Sequence, residues 1–385
     1  MFAGPEGQRP CALMLQALVD RPRDAQEDPR PFPFGLRKMK KEETVMGRVA
    51  FFGCMAVCLV ASLVAEAQAQ TQSRAREFMQ KVIGFGAADI QAVDAGKVVT
   101  RLLETGEKAE VAAFGAVRVK AQPAALFEAA KDIREFRKVP EILQIGVFSD
   151  PPRVEDLAGL TFPEEDIDAL RKCRPGKCDV KLGTAFIDRL AREVDWKQDG
   201  AREKAASIAK QALVEGLRVY QASGTEAMGV VVDKSDPKSR AAEFDTLLAN
   251  SPYFLEYVPD FFDHLRDYPK GEDPEIRDVF YWTKDGFGLK EVVSVYHVSV
   301  LRRGDQALLA QKTLYASHYF NAGLEVWSVA PPASGSGFDL LMLYRTRLDP
   351  PTGMLAGMLM GKVRGGVEEG VRANLENARA KSEGR

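Results

Sequence analysis

The last third of the chain constrains the fold more than any other part. Val279–Thr283, Glu291–Leu301, Gln306–Phe320, Leu324–Ala330 and Phe338–Leu348 are apolar-rich segments of strand length. Asp285-Gly286, Gly304-Asp305, Ala322-Gly323 and Ser334-Gly335-Ser336-Gly337 separate them, and such pairs punctuate hairpins. The expected product is an antiparallel meander of about five strands. A sheet of this kind needs cover on at least one face. Pro350-Pro351 ends the meander, and Thr352–Ala380 reads as a long helix able to supply that cover.

That helix carries Gly353, Gly357, Gly361 and Gly365 at spacings of four, beside an apolar stripe of Leu355, Leu359, Val363, Val367 and Val371. Each interior glycine costs about 1 kcal/mol against alanine. The expected compensation is close approach of the helix backbone to the sheet, with space for a ligand beneath the helix as the alternative. A membrane-pairing ridge is a third reading, but the apolar stretch before Lys362 and Arg364 is too short to span.

Upstream, Ser73–Ile83 reads as a short helix. Val98–Leu103 and Glu110–Lys120 read as strands, the second with Gly115 as a candidate bulge. Pro123 opens a helix expected to reach Phe136, followed by a strand at Ile142–Phe148. Val154 to Leu265 is mostly helical and is expected to be an insertion. A strand, a Pro-started helix, a meander and a long last helix, over about Val111–Ile145 and Asp278–Ala380, resemble the helix-grip architecture of the START-like and polyketide-cyclase superfamily. The fold class expected is therefore α+β, a curved antiparallel sheet around the C-terminal helix. The resemblance implies an apolar cavity between helix and sheet, and binding of a lipid or other apolar ligand. Phe114–Val119, Cys173–Leu182 and Ala316–Phe320 also resemble segments of exported bacterial proteins of unassigned function.

The N-terminal 69 residues stand apart. Residues 1–38 are rich in Pro and Arg without apolar periodicity, as expected of a disordered segment, and are expected to lie upstream of the true start. Met39-Lys40-Lys41, an apolar run over Val49–Ala65 and Ala67-Gln68-Ala69 then have the layout of a secretory signal peptide. An uncleaved membrane anchor is the competing reading. A single mature α+β domain, residues 70–385, is expected to be periplasmic or secreted. Beyond Ala69 only Cys173 and Cys178 remain, and Pro175-Gly176 between them bends the chain back for a disulfide. This spacing is wider than that of a redox Cys-x-x-Cys pair. Net charge is -2, so no broad field favours nucleic acid or an anionic membrane.

The chain lacks Walker spacing, Gly-x-Ser-x-Gly and His-Glu-x-x-His, and no cofactor signature is present. Glu164-Glu165-Asp166 reads as a solvated cap at a helix start. If Gly304-Asp305 is a two-residue loop, 303 pairs with 306, and His297 and His318 stand about 20 Å apart, too far for one metal. His264 is expected to be exposed. If Ala322-Gly323 is the next loop, His318 pairs with Trp327 and Tyr315 with Ala330. His318, Trp327 and Trp282 would then form one amphipathic wall, with Tyr319 beside it. Arg345 and Arg347 share a strand face and are either solvated or available to an anionic head group.

The function expected is non-enzymatic binding of a lipid or other apolar small molecule, with His318, Trp327, Trp282, Tyr319 and Arg345 as ligand-binding residues. The alternatives are a cyclase- or hydrolase-type enzyme using His318 with Tyr319 or Tyr281, and an envelope module whose insertion, Val154–Tyr220, binds a protein partner. An interior cavity of ~300 Å³ or more beneath the terminal helix favours ligand binding.

Overall fold

The computed structural model describes residues 74–131, 133–270, 273–286 and 290–385. The expected signal peptide and disordered leader lie outside these residues. Among the described residues, eight strands form one antiparallel sheet: β1 (Val99–Leu103), β2 (Glu110–Val119), β3 (Ile142–Val147), β6 (Ile276–Asp285), β7 (Val292–Arg303), β8 (Gln306–Ala316), β9 (Phe320–Ala330) and β10 (Phe338–Leu348). Their order is β1-β2-β10-β9-β8-β7-β6-β3, so β2 pairs with the last strand and β3 with the first of the meander. The small β4 (Val230–Val231) and β5 (Lys238–Ser239) pair separately. The architecture is α+β and helix-grip-like, as the sequence implied.

The two faces of the sheet are covered differently. The concave face carries α2 (Pro123–Ala129), α3 (Ile133–Phe136) and the C-terminal helix α10 (Ala356–Ser382). The sequence predicted one helix from Pro123 to Phe136, and two short ones form instead. The convex face is packed by α1 (Ala87–Asp94) and by α7 (Arg240–Ala249), α8 (Tyr253–Tyr257) and α9 (Pro259–Asp267). Phe114, Phe244, Leu247, Phe261 and Leu324 form that core. The remaining insertion helices are α4 (Glu164–Leu170), α5 (Thr184–Glu193) and α6 (Ala201–Ser223), with their own core around Ile187, Leu190 and Ile208. No described helix is long and apolar enough to cross a membrane.

The glycines of the terminal helix do not do what the sequence reading favoured. A Cβ placed on Gly353, Gly357, Gly361 or Gly365 meets nothing within 4 Å. Only the second half of α10 docks, through Val371, Leu375 and Ala378, on β2 and its neighbours. Met354, Leu355, Met358 and Leu359 remain exposed. The close approach is made by a strand glycine instead. A Cβ on Gly115 would lie 2.6 Å from Leu375 Cδ1 and 2.8 Å from Val371 Cγ1. Gly115 is thus the seat of α10, not a bulge, and β2 runs through it in register with both neighbours.

The expected turn between β8 and β9 is also displaced. Arg303 pairs with Gln306 as expected. However, Ala322 and Gly323 lie inside β9, and the chain reverses at Ser317-His318-Tyr319. Tyr319 takes the left-handed conformation, φ 59°, without being glycine. Tertiary bonds hold the turn: Lys181 N–H donates to Ser317 O (2.9 Å), and Asp349 N–H to Tyr319 O (3.0 Å). Trp327 consequently pairs with Leu309 and Met342, not His318, and Tyr315 pairs with Val295, not Ala330.

Candidate functional site

The concave face offers an apolar cavity with a polar end. Pro123 sets α2 at its first position, where a missing N–H costs nothing. The helix lays Leu126 and Phe127 over the sheet, and α3 adds Ile133. Beneath them, Val298, Val300, Leu309 and Val329 point up from successive strands, leaving a space of about 90 Å³. At one end stand Arg137, Glu325, Tyr281, Gln311 and Trp327. Arg137 Nη1 donates to Glu325 Oε1 (2.9 Å), and Trp327 Nε1 donates to the same oxygen (2.6 Å). Tyr281 donates to Gln311 Oε1.

One donor in this set is unused. Arg137 Nε is buried and has no hydrogen-bond partner among the described residues. Burial pulls the guanidinium pKa down, but Glu325 and Tyr281 outweigh it and hold the pKa above its ordinary value. The group therefore stays a cation with one free N–H in a low-polarity space. Leaving such a donor unmet costs about 1–3 kcal/mol. Behind the cavity, Tyr281 stacks on Tyr296 with ring centres 4.9 Å apart. Tyr296 and Thr283 hydrogen-bond Asp285, whose carboxyl burial pushes up to about 6. Burial raises the Tyr281, Tyr296 and Tyr344 hydroxyls, so all three are neutral donors at pH 7. Such an arrangement can enclose an apolar body and orient an oxygen acceptor.

Of the five residues expected to bind ligand, only Trp327 lines this cavity, joined by Tyr281, which the enzyme alternative had named. Trp282 is buried on the convex face, its Nε1 donating to Asp156 O (3.0 Å). Arg345 is buried there too, its Nε donating to Glu110 Oε1 (2.8 Å) and its Nη1 to Tyr253 OH (3.0 Å). Arg347 bridges Glu243 and Glu107. Neither arginine is solvated or free for a head group. His318 sits in the β8–β9 turn, its Nε2 2.8 Å from Asp166 Oδ1. Asp166 is accordingly buried, unlike the solvated cap expected of Glu164-Glu165-Asp166. Tyr319 shares the turn, its hydroxyl buried and without a partner among the described residues. The single amphipathic wall expected of His318, Trp327 and Trp282 does not form, because the displaced turn changes the pairing. His318 and Tyr281 serve opposite sides of the sheet, so they cannot act on one substrate together.

His264 is buried, not exposed. It shares Asp278 Oδ1 with His297 (Nε2 distances 3.1 and 2.7 Å) and with Ser299 Oγ (2.6 Å), and Tyr220 OH meets His297 Nδ1 (2.8 Å). This network fastens α6 and α9 to the convex face. Among the described residues no group of three His, Cys, Asp or Glu is arranged to hold a metal ion. Cys173 and Cys178 are disulfide-bonded, Cα atoms 4.5 Å apart. A larger groove, about 420 Å³, lies on the convex face around Phe78, Tyr257 and Leu343, with Arg74 and Ala75 on its wall.

Sequence reasoning missed Arg137, Gln311, Glu325 and Asp285. The available signal was parity. Gln311 shares its face of β8 with Leu309, and Glu325 shares its face of β9 with Trp327 and Val329, so polar residues interrupt an apolar row.

No protein-family model matches the chain, and no curated protein matches it. Among solved structures, it is similar to a STAR-related lipid transfer protein from Xanthomonas axonopodis, at 8% identity and TM-score 0.30 over 72% of this chain and 93% of that one. It is similar also to StfQ, a di-domain ARO/CYC protein of the steffimycin biosynthetic pathway (11% identity, TM-score 0.23, 71% of this chain and 98% of that one). BexL, a di-domain ARO/CYC protein of the BE-7585A pathway, matches at 11% identity and TM-score 0.23, over 83% of this chain and 95% of that one.

Proposed function

We propose that this chain binds an apolar small molecule carrying one oxygen acceptor, non-catalytically, in the concave cavity. The observation that carries the reading is the buried, unpartnered Nε of Arg137 at the end of an apolar space. A ligand oxygen there would satisfy a donor that no described residue meets. Trp327 would form part of the wall. At about 90 Å³ the space is below the ~300 Å³ of ordinary ligand sites, so binding requires α2 and α3 to lift. Two short helices in place of one long one allow that movement. Export to an oxidising compartment belongs to the same proposal, supported by the Ala67-Gln68-Ala69 motif and by the disulfide.

Native mass spectrometry of protein purified from its own host tests the reading. A co-purifying small molecule, lost in Arg137→Met with the fold intact, is expected. Ligand-free protein that also fails to rebind host lipid extract would refute it.

A further inference from the structure

A second cavity lies on the opposite side of the sheet, between the insertion and the convex face of β7 and β8. Its volume is about 190 Å³. Ile167 and Leu170 of α4, Phe186 of α5 and Leu213 of α6 wall it, against Val295 and Leu314 of the sheet. For scale, an apolar cavity of about 150 Å³ accommodates benzene. Ala209, Ala212 and Gly216 bring the small side of α6 to it, and a Cβ on Gly216 would meet nothing within 4 Å.

Three charged side chains line this space, Asp166, Lys181 and Arg240, and they are engaged differently. Asp166 lines it but is engaged by His318. Lys181 lines it but is engaged by Asn321 and Asp349, with Asp233 at 3.7 Å. Arg240 has no such partner. Its Nη1 donates to Met228 O (2.8 Å) and Leu314 O (3.4 Å), and its guanidinium lies 5.3 Å from the Tyr315 ring centre. Among the described residues it makes no ion pair, and its Nε and Nη2 make no hydrogen bond. Burial lowers its pKa, against the opposing pull of Tyr315 and of the Asp233 carboxylate, which is not in contact with it. Tyr315 also lines the space, and burial keeps its hydroxyl protonated. Arg240 is half-buried with no carboxylate in contact, so its remaining donors are available to an anion in the space.

We propose that this cavity is a second binding site, for a small amphipathic anion whose carboxylate pairs with Arg240 and whose apolar body lies between α4, α6 and the sheet. The carboxylate would take the free Nε and Nη2 donors of Arg240, with Tyr315 OH as a further donor. Bidentate guanidinium–carboxylate geometry favours a planar head over a point charge. The site is independent of the concave cavity, because the sheet itself separates them.

Calorimetric titration of the full chain with octanoate, and with octanol as the uncharged counterpart, tests the proposal. Octanoate is expected to bind saturably at one site. Arg240→Gln should weaken it at least tenfold, Arg240→Lys less, and octanol should bind at least tenfold more weakly than octanoate. Gly216→Leu should weaken octanoate by filling the space, while circular dichroism shows the fold retained. Ala130→Trp, in the concave cavity, should leave octanoate affinity unchanged. The proposal is overturned if octanoate does not saturate, if its affinity is the same in Arg240→Gln, or if Ala130→Trp abolishes it.

Discussion

The seat of the terminal helix can be probed with a single methyl group. Gly115→Ala would place a Cβ 2.6 Å from Leu375 Cδ1 and 2.8 Å from Val371 Cγ1, with Thr100 Cγ2 at 3.3 Å. Leu375 is fully buried and Val371 nearly so, and valine is stiff about χ1. Neither can turn aside freely. Overpacking of this kind costs about 1–3 kcal/mol. Restricting the unfolded chain returns about 0.4–1 kcal/mol. The net expectation is a loss of about 1–2 kcal/mol, read as a lower urea midpoint at unchanged slope. Leu375→Ala alone should cost about 2–5 kcal/mol through the cavity it leaves. In the double variant the new methyl enters that cavity, so the two losses should fall short of their sum by about 1 kcal/mol. A Gly115→Ala protein as stable as wild type, or strictly additive losses, would refute the reasoning that α10 rests on this glycine.

Three further outcomes follow from buried charge. Arg345→Met leaves Glu110, fully buried, without its main counter-charge and should cost about 3–5 kcal/mol in urea unfolding, with much of it recovered by adding Glu110→Gln. Burial lowers Lys312 to about 7, so between pH 7 and its ordinary range the unfolded chain holds more protons there; wild-type stability should rise with pH by up to about 1.4 kcal/mol per unit relative to Lys312→Met, read across pH 7–9. Asp285 has the opposite sign: its folded carboxyl is raised to about 6, so its contribution is favourable below pH 4 and lost as pH passes 6, and Asp285→Asn should gain about 1–3 kcal/mol at pH 7 but nothing at pH 4.

The strands of the meander were legible because alternation and glycine turns are local properties. Gly304-Asp305 turned where expected. Ala322-Gly323 did not, because Lys181, Val293 and Asp349 pin the chain three residues earlier and force Tyr319 into a conformation that glycine usually supplies. Local sequence cannot display those partners. For the same reason the burial of Asp166, His264, Arg345 and Arg347 was invisible: each is polar in its own segment and gains its partner from another element, 14 to 235 residues away. The glycine repeat was assigned to the wrong contact: Gly353 precedes α10, and the docking half of the helix begins beyond Gly365. Arg137 could not be found by motif at all. It closes the short helix pair over the sheet, and its pairing with Glu325 joins residues 188 positions apart.

Equilibrium titration with N-phenyl-1-naphthylamine, a neutral apolar fluorophore, addresses the concave cavity most directly. One saturable site is expected, with energy transfer from Trp327 that Trp327→Phe removes and Ala130→Trp blocks. Linear, non-saturating fluorescence, or a signal indifferent to both substitutions, would mean that the space beneath α2 and α3 takes no guest.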